Sequence, residues 1–341
     1  MSNSNTLHWF TNRLVCPDCH SKIYDDRGNL SCPKCHRTFD RKGGILNLLP
    51  SEKSEHADIE GKNIQAYDDI KSRYEKIRQF RGARKIIADW SLTKIENTNF
   101  ELVKPYIEGK NVLEIGCGRG YLSALVAQIT GVAAFDISRG SLNYAKELGN
   151  FGDNVFYFQG NVYSIPFEAE TFDIVIAAEV LEHLAGPDRA MREINRVLKV
   201  GGIVIASVPN MIMYFSPLVL LTSFEKIRHP LTTFRTYIKR QSDESPRQYD
   251  RPFLPTQFSK LFKESGFKVI KHKTSMLNFW LFPCKQIILY GDKRCPAITR
   301  WLVKLIIKSS DVVFDREFPI VKWFGTRQHI LAKKQLIRCS P

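Results

Sequence analysis

From about residue 99 the chain carries short, nearly unbroken apolar runs at 110–115, 132–136, 155–159, 172–177 and 203–208. Such runs read as strands covered on both faces, because a strand with one solvated face would alternate apolar and polar positions. Helical stretches such as 121–130 and 188–198 separate them, and a last strand is expected at 329–334. Strand and helix in alternation predict a doubly wound α/β sheet.

The first 55 residues break this pattern. Cys16-Pro-Asp-Cys19-His20 and Cys32-Pro-Lys-Cys35-His36 flank a hairpin-like stretch, Ile23–Ser31, with a turn at Asp26–Asn29. Three chemistries compete for these cysteines: haem attachment through CxxCH, a redox dithiol, and a four-thiolate zinc site. Haem attachment needs export, and the start MSNSNTLHWFTNR lacks the apolar stretch of a signal peptide. A redox CxxC occurs once, beside a βαβ unit. Two matched knuckles instead fit a zinc ribbon held by Cys16, Cys19, Cys32 and Cys35, with replacement of a Cys by His20 or His36 left open. So short a segment builds little core of its own, so the zinc is expected to supply folding energy and no chemistry. The domain expectation is therefore a zinc ribbon over 1–55 and an α/β domain over 56–341.

A chain of 341 residues, 43% hydrophobic and 25% charged, has ample material for a soluble core. Its apolar runs stay short of the ~18 residues a membrane-spanning helix needs, and the expected location is cytoplasmic. The charge changes the picture more. Residues 211–341 hold 24 basic and 9 acidic residues, the whole of the +15 excess. An electrostatic partner is to be sought there.

The first strand runs into Glu114-Ile-Gly116-Cys-Gly118-Arg-Gly120, and the second ends on Asp136. Glycines between strand and helix let backbone N–H groups approach a ligand, and an acid after the second strand suits a ribose diol. Tyr121 stands where a dinucleotide GxGxxG would need its third glycine. The series resembles the class I S-adenosylmethionine-dependent methyltransferases, whose ExGxGxG is read at Glu114–Gly120. Phe135-Asp136-Ile137-Ser138 matches the family's ribose corner, and Gly160-Asn161-Val162 its adenine corner, with Asn where Asp is commoner. Ser164–Phe167, Phe172–Val175, Glu179–Leu184, Arg196–Gly202, Ser207–Asn210 and Glu264–Phe267 follow in the family's order, with Val200 in place of the usual Pro. The resemblance implies a Rossmann-like seven-stranded methyltransferase sheet and S-adenosyl-L-methionine as cofactor. It assigns Glu114, Gly116, Gly118 and Gly120 to the methionine end, Asp136 and Ile137 to the ribose, and Asn161 and Val162 to the adenine. The ribbon, with Asp40–Pro50, resembles methyltransferase activator subunits and the ribbon of certain ribosomal RNA guanine methyltransferases.

Methyl transfer needs alignment and a competent nucleophile, and His183 is the candidate general base. If 179–183 begins a helix, Glu179, Glu182 and His183 share one face and form a candidate Mg²⁺ site, as in some metal-dependent relatives; Asp250 is the candidate fourth ligand. The competing reading is a hydrogen-bonded pocket edge. Two insertions, about 211–251 and 275–325, are expected to form a substrate lid. In the second, Arg300, Lys304 and Lys308 make a basic stripe opposite Trp301, Leu302, Leu305 and Ile306, the pattern of an interfacial helix or of one packed on the sheet. The leading expectation is O-methylation of a small or lipid-like metabolite, with peripheral contact to the inner membrane face through the basic C-terminal part. RNA base methylation is second; aromatic and basic residues interleaved at Phe234–Arg240 keep nucleic acid in view. A methyltransferase-like adaptor without activity is third.

Overall fold

The computed structural model describes residues 8–26, 29–51, 57–149, 154–211, 251–275, 294–315 and 325–336. Its strands are β1 Tyr24–Asp26, β2 Asn29–Ser31, β3 Thr38–Phe39, β4 Arg41–Lys42, β5 Ile45–Asn47, β6 Val112–Ile115, β7 Val132–Asp136, β8 Val155–Gln159, β9 Phe172–Ala178, β10 Leu198–Pro209, β11 Phe267–Ser275 and β12 Arg327–Lys334. Each apolar run read as a strand forms one. The large sheet has the order β11-β12-β10-β9-β6-β7-β8-β5-β4. Strands β6 to β10 are parallel, and β12 lies antiparallel between β10 and β11.

Seven of these nine strands are the expected methyltransferase set. The other two come from the N-terminal segment: β5 pairs in parallel with β8, Leu46 opposite Phe158 and Asn47 opposite Gln159, and β4 folds back on β5. The Leu48 N–H donates to the Gln159 carbonyl at 2.8 Å. The β8 edge would otherwise present unpaired backbone groups, and the segment supplies their partners.

The helices are α1 Ala57–Asp68, α2 Ile70–Arg78, α3 Gly82–Val103, α4 Tyr121–Ala127, α5 Arg139–Glu147, α6 Pro187–Val197, α7 Pro255–Glu264 and α8 Pro296–Asp315. Alternate strand residues feed two cores. Val112, Val132, Ala134 and Tyr157 pack with Val103 of α3, Leu122 and Val126 of α4 and Leu142 of α5. Leu113, Ala133, Phe156 and Phe158 pack with Ile194 of α6, Phe258 and Phe262 of α7, and Phe10, Leu14, Ile23 and Leu30 of the N-terminal segment. Phe10 stacks on Phe156 and Phe172, with ring centroids 6.2 and 6.1 Å away.

The expected helix near 298–308 is present within α8, but its packing face differs from the expected one. Thr299, Val303 and Ser310 are buried, while Trp301 and Leu305 are 62% and 47% exposed. Val303 and Ile307 pack against Ala83, Ile86 and Ile87 of α3, and Lys94 pairs with Asp311 at 2.7 Å. Small and β-branched residues at i, i+4 and i+11 let the helices approach closely, leaving the bulky side chains outside. The rest of both expected lid insertions, including Phe234–Arg240, lies outside the described residues.

Candidate functional site

A cavity of about 560 Å³ opens at the carboxyl ends of β6, β7 and β9, under a roof made by α1 to α3. It brings together Glu114, Gly116, Gly118, Asp136, Ile137, Asn161, Val162, Glu179, Glu182 and His183. Gly120 stands apart from the lining; it caps α4 with φ of 73°. Gly116 has a left-handed φ of 66°, and a Cβ there would lie 2.5 Å from a Val180 methyl carbon. Only glycine turns the chain that tightly below the cavity floor.

The Asp136 carboxylate accepts from the Gly118 N–H and the Ser138 N–H, both at 2.9 Å. It thereby ties the glycine loop to the end of β7. Asn161 Oδ1 accepts the Tyr163 N–H at 2.9 Å, an Asx turn that fixes the corner after β8. Gln159 Nε2 donates to the Ile137 carbonyl at 2.9 Å and links the two corners.

Roof residues lie outside the sequence-predicted site, yet they define it. Tyr67 and His183 meet edge to face, centroids 6.0 Å apart. Asn63 Nδ2 donates to the His183 carbonyl at 2.8 Å. Asp68 accepts from Ser138 Oγ at 2.6 Å and from the Gly140 N–H at 2.9 Å. Arg119 donates to the Leu92 carbonyl at 2.8 Å and pairs with Glu96 at 3.1 Å, fastening α3 to the glycine loop. The 4-3-4-3 spacing of Asn63, Tyr67, Ile70, Tyr74 and Ile77, all in the cavity wall, is the legible signal for this roof.

The cavity is rich in carboxylates. Burial, reinforced by neighbouring Glu96 and Asp136, pushes Glu114 up to about 8, although Ser123 donates a hydrogen bond to it. Burial likewise raises Asp136 to about 6, against the pull of its two N–H donors. Burial and the Glu182 carboxylate hold Tyr67 well above the usual phenol value, so it keeps its proton. A cationic ligand relieves this crowding of buried negative charge.

The proposed Mg²⁺ triad does not assemble. Residues 181–183 form a short 3₁₀ turn rather than the start of an α-helix. Glu179 sits before it in a left-handed conformation, φ 54°, and pairs with Arg327 at 2.5 Å. Glu182 and His183 approach each other at 3.6 Å, but the three do not form a metal-competent group among the described residues. Asp250 lies outside the described residues. The arrangement matches the pocket-edge reading.

Among the described residues, one group has the makings of a metal site: the sulfurs of Cys16, Cys19, Cys32 and Cys35 all lie within 4.8 Å of one another. Cys16 and Cys35 are 3.6 Å apart, and Cys19 and Cys32 are 3.4 Å apart. Tetrahedral Zn–S bonds of about 2.3 Å set sulfurs about 3.8 Å apart, so the cluster is compatible with zinc. Burial pushes the Cys16 thiol up to about 12, a desolvation cost that a bound dication removes. His20 and His36 are outside this group. Each has a left-handed φ, 55° and 58°, and closes its knuckle by donating its N–H to the Cys16 or Cys32 carbonyl at 2.9 Å.

The methyltransferase domain family matches residues 113–206. A demethylmenaquinone methyltransferase of Symbiobacterium thermophilum is 27% identical over 249 residues, 67% of this chain and 91% of that one. A ubiquinone/menaquinone biosynthesis C-methyltransferase (UbiE) of Vibrio vulnificus is 37% identical over 101 residues, 28% of this chain and 39% of that one. Among solved structures, the magnesium protoporphyrin IX methyltransferase of Synechocystis PCC 6803 with bound SAH covers 82% of this chain and 100% of its own, at TM-score 0.51 and 14% identity. The [4+2]-cyclase SpnF reaches TM-score 0.50 at 17% identity, covering 80% of this chain and 95% of its own. At such identities the likeness is one of fold.

Proposed function

The chain belongs to the class I S-adenosylmethionine-dependent methyltransferases, and from that premise we propose that it methylates an oxygen of a small or lipid-like metabolite. The carrying observation is the roofed cavity, in which Tyr67 and His183 face each other beyond the three nucleoside corners. The lining also carries apolar Ile59, Ile70 and Leu184, and an enclosed cavity suits a compact acceptor better than a polynucleotide.

In this reading Glu114 and the glycine loop hold the methionine end, Asp136 and Ile137 the ribose, and Asn161 and Val162 the adenine. His183 takes the proton of the acceptor hydroxyl. The oxygen forms its bond to the methyl carbon as the carbon–sulfur bond breaks, and S-adenosylhomocysteine leaves. Tyr67 keeps its proton and aligns the acceptor oxygen by hydrogen bonding. The names of the quinone-pathway relatives favour a second outcome at the same site. Deprotonating a phenol activates its ring carbon as well as its oxygen, so a carbon acceptor uses the same base. RNA base methylation rests on the ribbon's resemblance and on the basic C-terminal part.

We also assign Cys16, Cys19, Cys32 and Cys35 to one zinc ion that stabilises the fold, because their sulfurs already meet its geometry.

Radiolabelled S-adenosylmethionine offered with fractionated lysate tests the acceptor. Label in the organic or small-molecule fraction is expected. Label confined to nuclease-sensitive material overturns the proposal.

A further inference from the structure

Helix α8 has two apolar faces, and the described residues pack on only one. Thr299, Val303, Ile307 and Ser310 lie toward α3. On the far side Ile298, Trp301, Leu305 and Val312 are 59%, 62%, 47% and 43% exposed. Successive positions turn by about 100°, so these four fall into one stripe along the helix. No other described element exposes as many large apolar side chains. Lys304 and Lys308 border the stripe along one edge, with Arg300 beyond them, all three exposed. Their acidic neighbour Asp311 is already engaged by Lys94. The adjoining turn of α3 adds exposed Arg81 and Arg84.

We propose that this outer stripe of α8 lies in the surface of an anionic lipid bilayer. An apolar stripe edged by lysines, whose stems reach from the acyl boundary to the headgroups, is what an in-plane helix requires. None of the described helices is long and apolar enough to cross a membrane, so the docking is parallel to the bilayer. The part of the sequence that contains α8 also carries the chain's basic excess, with 24 basic against 9 acidic residues over 211–341. The consequence for function rests on the lipid-like acceptor read above. Helix α3 carries Ile86 and Ile87 against α8 and Ser91, Leu92, Ile95 and Glu96 in the cavity wall. A bilayer on α8 is thus one helix away from the acceptor site.

Flotation of the full chain with phosphatidylcholine vesicles, with and without half phosphatidylglycerol, tests the docking. Binding is expected only to the anionic vesicles. Lys304→Gln with Lys308→Gln lowers partitioning about thirtyfold, about fivefold per lysine near the surface. Trp301→Ser with Leu305→Ser lowers it by about a hundredfold or more, with cofactor binding retained as the check on folding. Any one of four results overturns the proposal. These are absence of vesicle binding by the wild type, binding unchanged in either double variant, a dimer that the Trp301/Leu305 variant abolishes, and retention of RNA in place of vesicles. Flotation needs neither cofactor nor acceptor, so its failure leaves the methyl-transfer reading standing, and failed organic-phase labelling leaves flotation unaffected.

Discussion

At the β8 end the sheet is finished by the chain's own N-terminus. Strands β5 and β4 extend it, the Val15 N–H donates to the Pro166 carbonyl at 3.1 Å, and Ser164 Oγ donates to the Pro17 carbonyl at 2.5 Å. At the other end, the outermost of the described strands is β11, which carries Lys268, Lys271 and Lys273, with Ile270 48% exposed. Lysines on an edge strand discourage pairing with another chain without covering it. The first solution makes the cysteine cluster part of the main core. The second leaves α8 beside it with a bare apolar stripe. One edge of the parallel sheet is extended by the N-terminal segment, and among the described residues the other carries no further strand.

The largest test of this contrast is Cys16→Ser with Cys19→Ser. If the ribbon shared no core with the sheet, a second melting transition would survive intact. The expected outcome is instead collapse of the single cooperative transition and loss of soluble protein, because structural zinc sites contribute of order 10 kcal/mol. Calorimetry with zinc analysis measures it.

Phe10→Ala comes next. It removes a ring stacked on Phe156 and Phe172 and is expected to cost about 3–5 kcal/mol in urea unfolding. Trp301→Ser on the open side is expected to change stability by less than about 0.5 kcal/mol.

His329, in β12, sharpens the comparison through pH. Ser275 Oγ lies 2.7 Å from its Nε2, and Asn99 Oδ1 2.8 Å from its Nδ1. Burial, aided by Lys273 and Arg327, lowers its pKa to about 3. The folded state resists a proton that the unfolded chain binds near 6.5. Its contribution is therefore intact above pH 6.5 and lost as pH falls toward 3, roughly 3 kcal/mol by pH 4. His329→Gln should flatten that acid limb in pH-dependent unfolding.

The cavity carboxylates run the other way. Glu114 and Asp136 are raised to about 8 and about 6, so their contribution to the free protein is complete below about pH 4 and is lost as pH rises through those values. The cationic cofactor reverses the penalty. Cofactor affinity is expected to rise with pH through about 6 as Asp136 ionises, and Asp136→Asn should weaken binding about a hundredfold at pH 8, by isothermal titration.

The central strands and the glycine loop after β6 were legible in sequence because each rests on residues close together in the chain. An apolar run becomes a buried strand, and a glycine loop between strand and helix lets backbone N–H groups approach a ligand. The cysteine knuckles were legible for the same reason, since their spacing alone sets the geometry. Asp68, Glu96 and Arg119 were not, because their significance lies in partners such as Ser138 and Leu92 that only folding brings near. The helix at α8 divides the two kinds of knowledge. Its periodicity announced a helix with basic and apolar positions, as any local pattern can. Which apolar residues turned inward was settled by the shape of α3, against which threonine, valine and serine approach closely and tryptophan does not. Sequence determined the elements and the cofactor loop; tertiary packing decided what roofs the cavity and which surface is left open.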